Sequence, residues 1–267
     1  MVRKSVLVVV AVLLLISIAS FVFAGSSQST FSISPPPIAS PVFDVKETDV
    51  KVGLTYLTMK STDPTMDFKL DGYGINFVGR SAFGNKLAID YAIGVIYMDG
   101  EIATGGTATM KMDLTGANIP ISVNIEIQPY KNDVFNVILF VGPAFNITAM
   151  EMESKYTILG TTYSDTTYID SILYGPQGGL QLGFGLGDFN LDVFGMATSL
   201  RGKQETTSTY GADTSTTIPA YTTTSFGADL VYTPWGLALS SILQEAKQGD
   251  NNGFKTNMYQ ISWSHKF

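Results

Sequence analysis

Residues 86–98 read Lys-Leu-Ala-Ile-Asp-Tyr-Ala-Ile-Gly-Val-Ile-Tyr-Met, and their apolar side chains recur at every second position. Leu87, Ile89, Tyr91, Ile93, Val95 and Tyr97 fall on one parity. Lys86, Ala88, Asp90, Ala92 and Gly94 fall on the other. A period of two places the first set on one face of a β-strand, whereas a helix would need repeats at three and four. The same alternation returns at 118–128, where Ile119, Ile121, Val123, Ile125 and Ile127 oppose Asn118, Ser122, Asn124, Glu126 and Gln128, with Pro120 the exception. At 179–186, Leu180, Leu182, Phe184 and Leu186 oppose Gly179, Gln181, Gly183 and Gly185.

Working outward, the pattern predicts ten strands at 49–59, 68–79, 86–98, 109–128, 134–149, 171–186, 190–201, 222–233, 237–246 and 254–267; eight or twelve are the alternatives. Apolar parity slips within 110–114 and again within 193–196, which marks bulges or a miscounted hairpin there. The links alternate in length. Short ones fall at 80–85, 129–133, 187–189 and 233–236. Longer polar ones fall at 99–108, 150–170, 202–221 and 247–253, with a smaller one at 60–67. Short turns at one end and long loops at the other are the habit of up-and-down barrels that cross a membrane, with the short turns in the periplasm.

The face opposite the apolar stripes carries Lys51, Gly53, Thr55, Asp90, Gly94, Glu126, Gln177, Gly179, Gln181, Gly183, Gly185, Gly227, Asp229, Gln260 and Ser262. Glycine weakens an ordinary strand but makes room for neighbouring side chains inside a narrow barrel. The fold class expected is therefore all-β, a closed antiparallel transmembrane β-barrel, with a soluble secreted β-sandwich as the runner-up.

The two ends fit an envelope destination. Residues 1–24 place Arg3 and Lys4 before an apolar run from Val6 to Ile18, with small residues near Ala24, the pattern of a cleavable secretory signal. An uncleaved anchor is disfavoured by the shortness of that run. Residues 25–48 are rich in Ser, Thr and Pro, as in a periplasmic tether or a lumen segment. The barrel proper is expected over 49–267.

The last strand ends Asn257-Met-Tyr-Gln-Ile-Ser-Trp-Ser-His-Lys-Phe267, with Tyr259, Ile261, Trp263 and Phe267 on one parity. This resembles the C-terminal signature of Gram-negative outer-membrane β-barrels, in which a terminal aromatic on an amphipathic strand is read by the barrel-assembly machinery. His265 departs from it by standing where that pattern has an apolar residue. The size resembles that of small barrels such as the OmpA membrane domain, OmpW or the omptins. The resemblance implies the cell outer membrane as location, with its lipid and the assembly machinery as partners.

Composition narrows the chemistry. Loss of residues 1–24 removes two bases and no acid, moving the formal charge from −7 to −9, against nucleic-acid binding. Cysteine is absent, so disulfides, thiol catalysis and a lipidated N-terminal cysteine are excluded. His265 is the sole histidine and sits at the expected periplasmic end, a poor place for a general base. Asp250-Asn251-Asn252-Gly253 lacks the rest of a calcium loop, and the Gly-Gly pairs at 105–106 and 178–179 lack the Gly-Lys-Ser/Thr of a phosphate loop.

No catalytic, cofactor or metal site is therefore expected. The residues most open to a role are a lumen-facing polar network of Lys51, Lys86, Asp90, Glu126, Gln181 and Asp229, with Asp192 a further inward carboxylate, joined by salt bridges or water. The expected function is that of a non-enzymatic surface or structural barrel. A narrow passive channel for small solutes is the alternative, and a barrel protease or lipid-modifying enzyme a more distant one. External loops, above all the Thr-rich 205–225, would carry any contact with an outside ligand.

Overall fold

A computed structural model describes residues 48–62, 66–84, 86–104, 110–158, 161–209, 213–247 and 253–266. The expected signal sequence, nearly all of the Ser/Pro-rich segment and Phe267 lie outside these. Ten strands follow in chain order: β1 (Asp49–Ser61), β2 (Met66–Ala82), β3 (Leu87–Thr104), β4 (Met110–Lys131), β5 (Phe135–Ile158), β6 (Thr161–Leu186), β7 (Phe189–Ser208), β8 (Thr214–Tyr232), β9 (Leu237–Lys247) and β10 (Phe254–Lys266). Each pairs antiparallel with its neighbour. β1 closes on β10, with Lys51 opposite Ser264 and Tyr56 opposite Tyr259, so the sheet is a closed barrel.

The outward parity is apolar on strands all round the wall. Leu54, Ile75, Val141, Ile172, Phe226 and Leu243 stand on six different strands and are each between 57 and 60 per cent exposed or slightly more. A continuous apolar belt of that kind is incompatible with water and is what a lipid-facing barrel presents. Alternation alone could not separate this from a soluble sandwich. Closure and the exposed belt do.

Glycines at two short links take the left-handed conformation that tight turns need. Gly187 (φ 72°) lies in the two-residue link from β6 to β7, and Gly236 (φ 65°) in the link from β8 to β9. At the other end the strands run on further than expected. The segments 150–158, 161–170, 202–208 and 214–221, read above as parts of loops, continue β5 to β8 as paired strand. At 151–155, 164–170, 203–209 and 213–217 both faces are exposed or half-buried, so alternation fades while hydrogen-bonded pairing and the β-branched threonines persist; Met150, Ile218 and Tyr221, nearer the wall, stay buried inside.

The expected parity slips are not register shifts. β4 keeps one register through Met112 and Leu114, and β7 through Phe194 and Met196; these side chains point inward because the inner face itself turns apolar at that height. The actual register shifts lie elsewhere, between Ile127 and Tyr130 on β4 and between Leu200 and Gly202 on β7.

Candidate functional site

The lumen contains two stacked layers of different chemistry. Toward the short-turn end it is charged. Lys51 Nζ on β1 donates to Asp229 Oδ2 on β8 at 2.7 Å, both side chains almost fully buried. Arg80 on β2, completely buried, grips Glu126 on β4 with two parallel bonds, Nε to Oε2 at 2.5 Å and Nη2 to Oε1 at 2.8 Å. The planar fork satisfies both carboxylate oxygens at once, and this makes so buried a pair tolerable.

Asp90 on β3 joins the same layer through a chain of amides. Asn124 Nδ2 donates to Asp90 Oδ1 at 2.8 Å, and Gln177 Nε2 on β6 donates to Asn124 Oδ1 at 2.8 Å. Asp192 on β7 is fully buried and sits directly across from Asp229 in the ladder. Gln181 on β6 is likewise fully buried on the inner face. A smaller cluster on β4 and β5 has Asn118 Nδ2 donating to Asn146 Oδ1 at 2.7 Å and to Thr148 Oγ1 at 2.8 Å.

Five of the six residues singled out for the lumen network, Lys51, Asp90, Glu126, Gln181 and Asp229, are thus buried on the inner wall. Lys86 is not among them. It precedes the first residue of β3, beyond the rim, and its side chain is exposed; inward parity does not reach the lumen once the strand has ended. Arg80, the actual partner of Glu126, fell in a segment read as a turn. Its even position on β2, in step with Asn76 and Val78, was the signal that could have found it.

Toward the opposite end the inner wall is mainly hydrocarbon and thioether, with Thr256, Gln244 and Thr223 also buried on it. Leu57, Met59, Phe68, Leu70, Ile96, Met98, Ile102, Leu114, Met150, Phe194, Ile242, Phe254 and Met258 form one buried cluster, with Met112, Met152 and Ile169 packed against it. Eight strands contribute to the buried set, so the layer reaches across the bore. Inward glycines let these side chains lie flat against the wall. A Cβ on Gly72 would come within 2.9 Å of Leu57 Cγ, and one on Gly227 within 2.4 Å of Phe194 Cζ. Unbranched methionine suits the irregular gaps that remain.

On the outside, Tyr259, Ile261 and Trp263 of the last strand face lipid at about half exposure. His265 is exposed, its ring 5.9 Å from that of Trp263. Phe189, Tyr232 and Trp235 add an aromatic cluster at the same end, with centroids 5.1 and 5.4 Å apart along the series. Among the described residues no group of three or more His, Cys, Asp or Glu is placed to hold a metal ion.

No family model matches the chain, and no curated protein matches it. Solved structures do. The outer-membrane protease OmpT from Escherichia coli superposes with a TM-score of 0.61 at 11% identity, over 90% of this chain and 100% of that one. OprG, an outer-membrane protein from Pseudomonas aeruginosa, matches with a TM-score of 0.38 at 12% identity over 84% and 97%. Ail, the attachment invasion locus protein of Yersinia pestis, matches at 0.32 and 13% over 83% and 99%. At 11% identity the OmpT superposition is a likeness of fold, and the chain is a closed ten-stranded antiparallel barrel of the outer-membrane kind.

Proposed function

We propose that the protein is a non-enzymatic outer-membrane barrel with a closed lumen, acting as a structural and surface-presenting element rather than as a pore. The observation that carries this reading is the succession of layers inside: a buried charge network at one height and a hydrocarbon plug at the next. A hydrated ion would have to shed its water at the plug, and an apolar solute would have to break the Lys51–Asp229 and Arg80–Glu126 pairs below it. The position of His265, on the outer surface beside Trp263, supports an interfacial role for it over general-base chemistry. In this reading residues 1–24 direct export, 25–48 tether or cap the barrel from the periplasm, and the projecting hairpins of β5–β8 meet the exterior.

The test is a planar bilayer recording on protein refolded in detergent. The closed reading expects no stepwise conductance at high protein load. Reproducible steps would replace it with that of a narrow channel, and peptide or lipid turnover dependent on an inward carboxylate would replace both.

A further inference from the structure

The register brings three lysines from distant parts of the chain into one row. Lys60 on β1 is directly opposite Lys255 on β10 in one ladder and directly opposite Lys69 on β2 in the other. All three side chains are exposed, on the same outward parity as the lipid-facing residues. Like charges facing each other across a ladder destabilise a sheet, so three in succession need an anion.

The protein supplies it only at the two ends of the row. Lys69 reaches Asp71 at 3.4 Å, and Tyr56 Oη donates to the same carboxylate at 3.3 Å. Glu245, opposite Lys255, has Lys247 at 3.3 Å, and Glu101 lies opposite Lys69 at the far end of the row. Lys60 has a lysine on either side, and neither it nor Lys255 forms an ion pair with any described residue. Elsewhere on the same rim Lys155 and Lys247 each hold an acid on their own strand.

Height fixes the kind of anion. Tyr259, Tyr56 and Tyr73 form a cross-strand row of their own on the lipid face, four residues nearer the membrane centre on the same three strands. At the tilt of such strands four residues amount to about 10 Å along the barrel axis. Tyrosines of this kind mark the interface, so the lysines stand in the headgroup zone, at the end with the long hairpins. The ladder spacing of about 5 Å spreads the three charges over about 10 Å, wider than a single phosphate.

We propose that Lys60, Lys69 and Lys255 bind the headgroup of an outer-leaflet lipid carrying more than one phosphate, with Tyr56, Tyr73 and Tyr259 against its upper acyl chains. This does not depend on whether the lumen conducts.

The full chain is refolded into phosphatidylcholine vesicles, and binding is titrated with bisphosphorylated lipid A, with phosphatidylglycerol and with inorganic phosphate. The proposal expects lipid A to bind most tightly, and the K60Q/K69Q/K255Q variant to bind it on the order of tenfold to a hundredfold more weakly. The K60R/K69R/K255R variant should keep binding, and Lys155→Gln should leave it unchanged. Retention of the unheated gel shift shows that each variant is folded, and single Lys60→Gln serves where the triple variant is not. Equal binding by the folded Gln variant overturns the proposal. So does equal affinity for phosphatidylglycerol, or full competition by inorganic phosphate at lipid-like concentration, which would indicate a diffuse anion patch.

Discussion

Arg80 and Glu126 meet inside the wall by two parallel hydrogen bonds, reaching over β3 to join β2 to β4, and neither side chain has more than 1 per cent of its surface exposed. Removing one partner leaves the other charge buried and alone. Arg80→Met or Glu126→Gln is expected to cost about 3–5 kcal/mol, whereas R80M together with E126L should recover much of that loss. Urea unfolding in detergent, followed by tryptophan fluorescence, gives the comparison; a double variant no more stable than either single would show that the pair is not a unit.

The hydrocarbon layer makes a separate prediction about permeation. Met258 is the ladder neighbour of Leu57, and Met98 lies in the same cluster. Replacing all three with serine removes side-chain volume and admits water. Stepwise conductance should appear in L57S/M98S/M258S and be absent from the parent chain. Silence in the folded triple variant would place the barrier in the charged layer instead.

On the outer surface, Gly79 is covered by the ring of Tyr91, and a Cβ added there would fall 2.3 to 2.4 Å from three of its atoms. Gly79→Ala must therefore push the ring away, at about 1–3 kcal/mol. In a Tyr91→Ala background the same change should be nearly neutral. A double-mutant cycle with no coupling would contradict this contact.

Beyond Met152 and Thr167 the ends of β5 and β6 form a hairpin that stands clear of the exposed apolar belt. Met152 pairs with Thr167, so an Asn-Gly turn joining these two should shorten it without disturbing the wall below. The trimmed protein should keep its unheated gel shift and lose no more than about 1 kcal/mol. Failure to fold would mean that the extension is needed to form the barrel.

Much of this architecture is legible in the sequence, because lipid on one side and a polar bore on the other imprint a two-residue period. Leu87 to Tyr97 on β3 and Ile119 to Ile127 on β4 show it without ambiguity. The period fades wherever both faces meet the same medium. Toward the outer ends of β5 to β8, as at 203–209, both faces are exposed or half-buried, and such stretches read as loops. Within the plug, Leu114 and Phe194 are as apolar as the residues facing lipid, and this imitates a slip of parity. The lysine row was out of reach for a different reason. Lys60, Lys69 and Lys255 are neighbours only once the ladder registers are known, and the barrel must close before Lys255 meets Lys60.

The unequal strand lengths give the molecule a slanted rim. β10 and β1 have 13 residues each, while β5 and β6, on the far side of the ring, have 24 and 26. In the orientation proposed above, a large object arriving from outside the cell meets the tall lip first. The low lip, formed by β10, β1 and β2, is the one that carries the lysine row, so in the same orientation the barrel has a tall side for contact from outside and a low side for the lipid proposed to bind there.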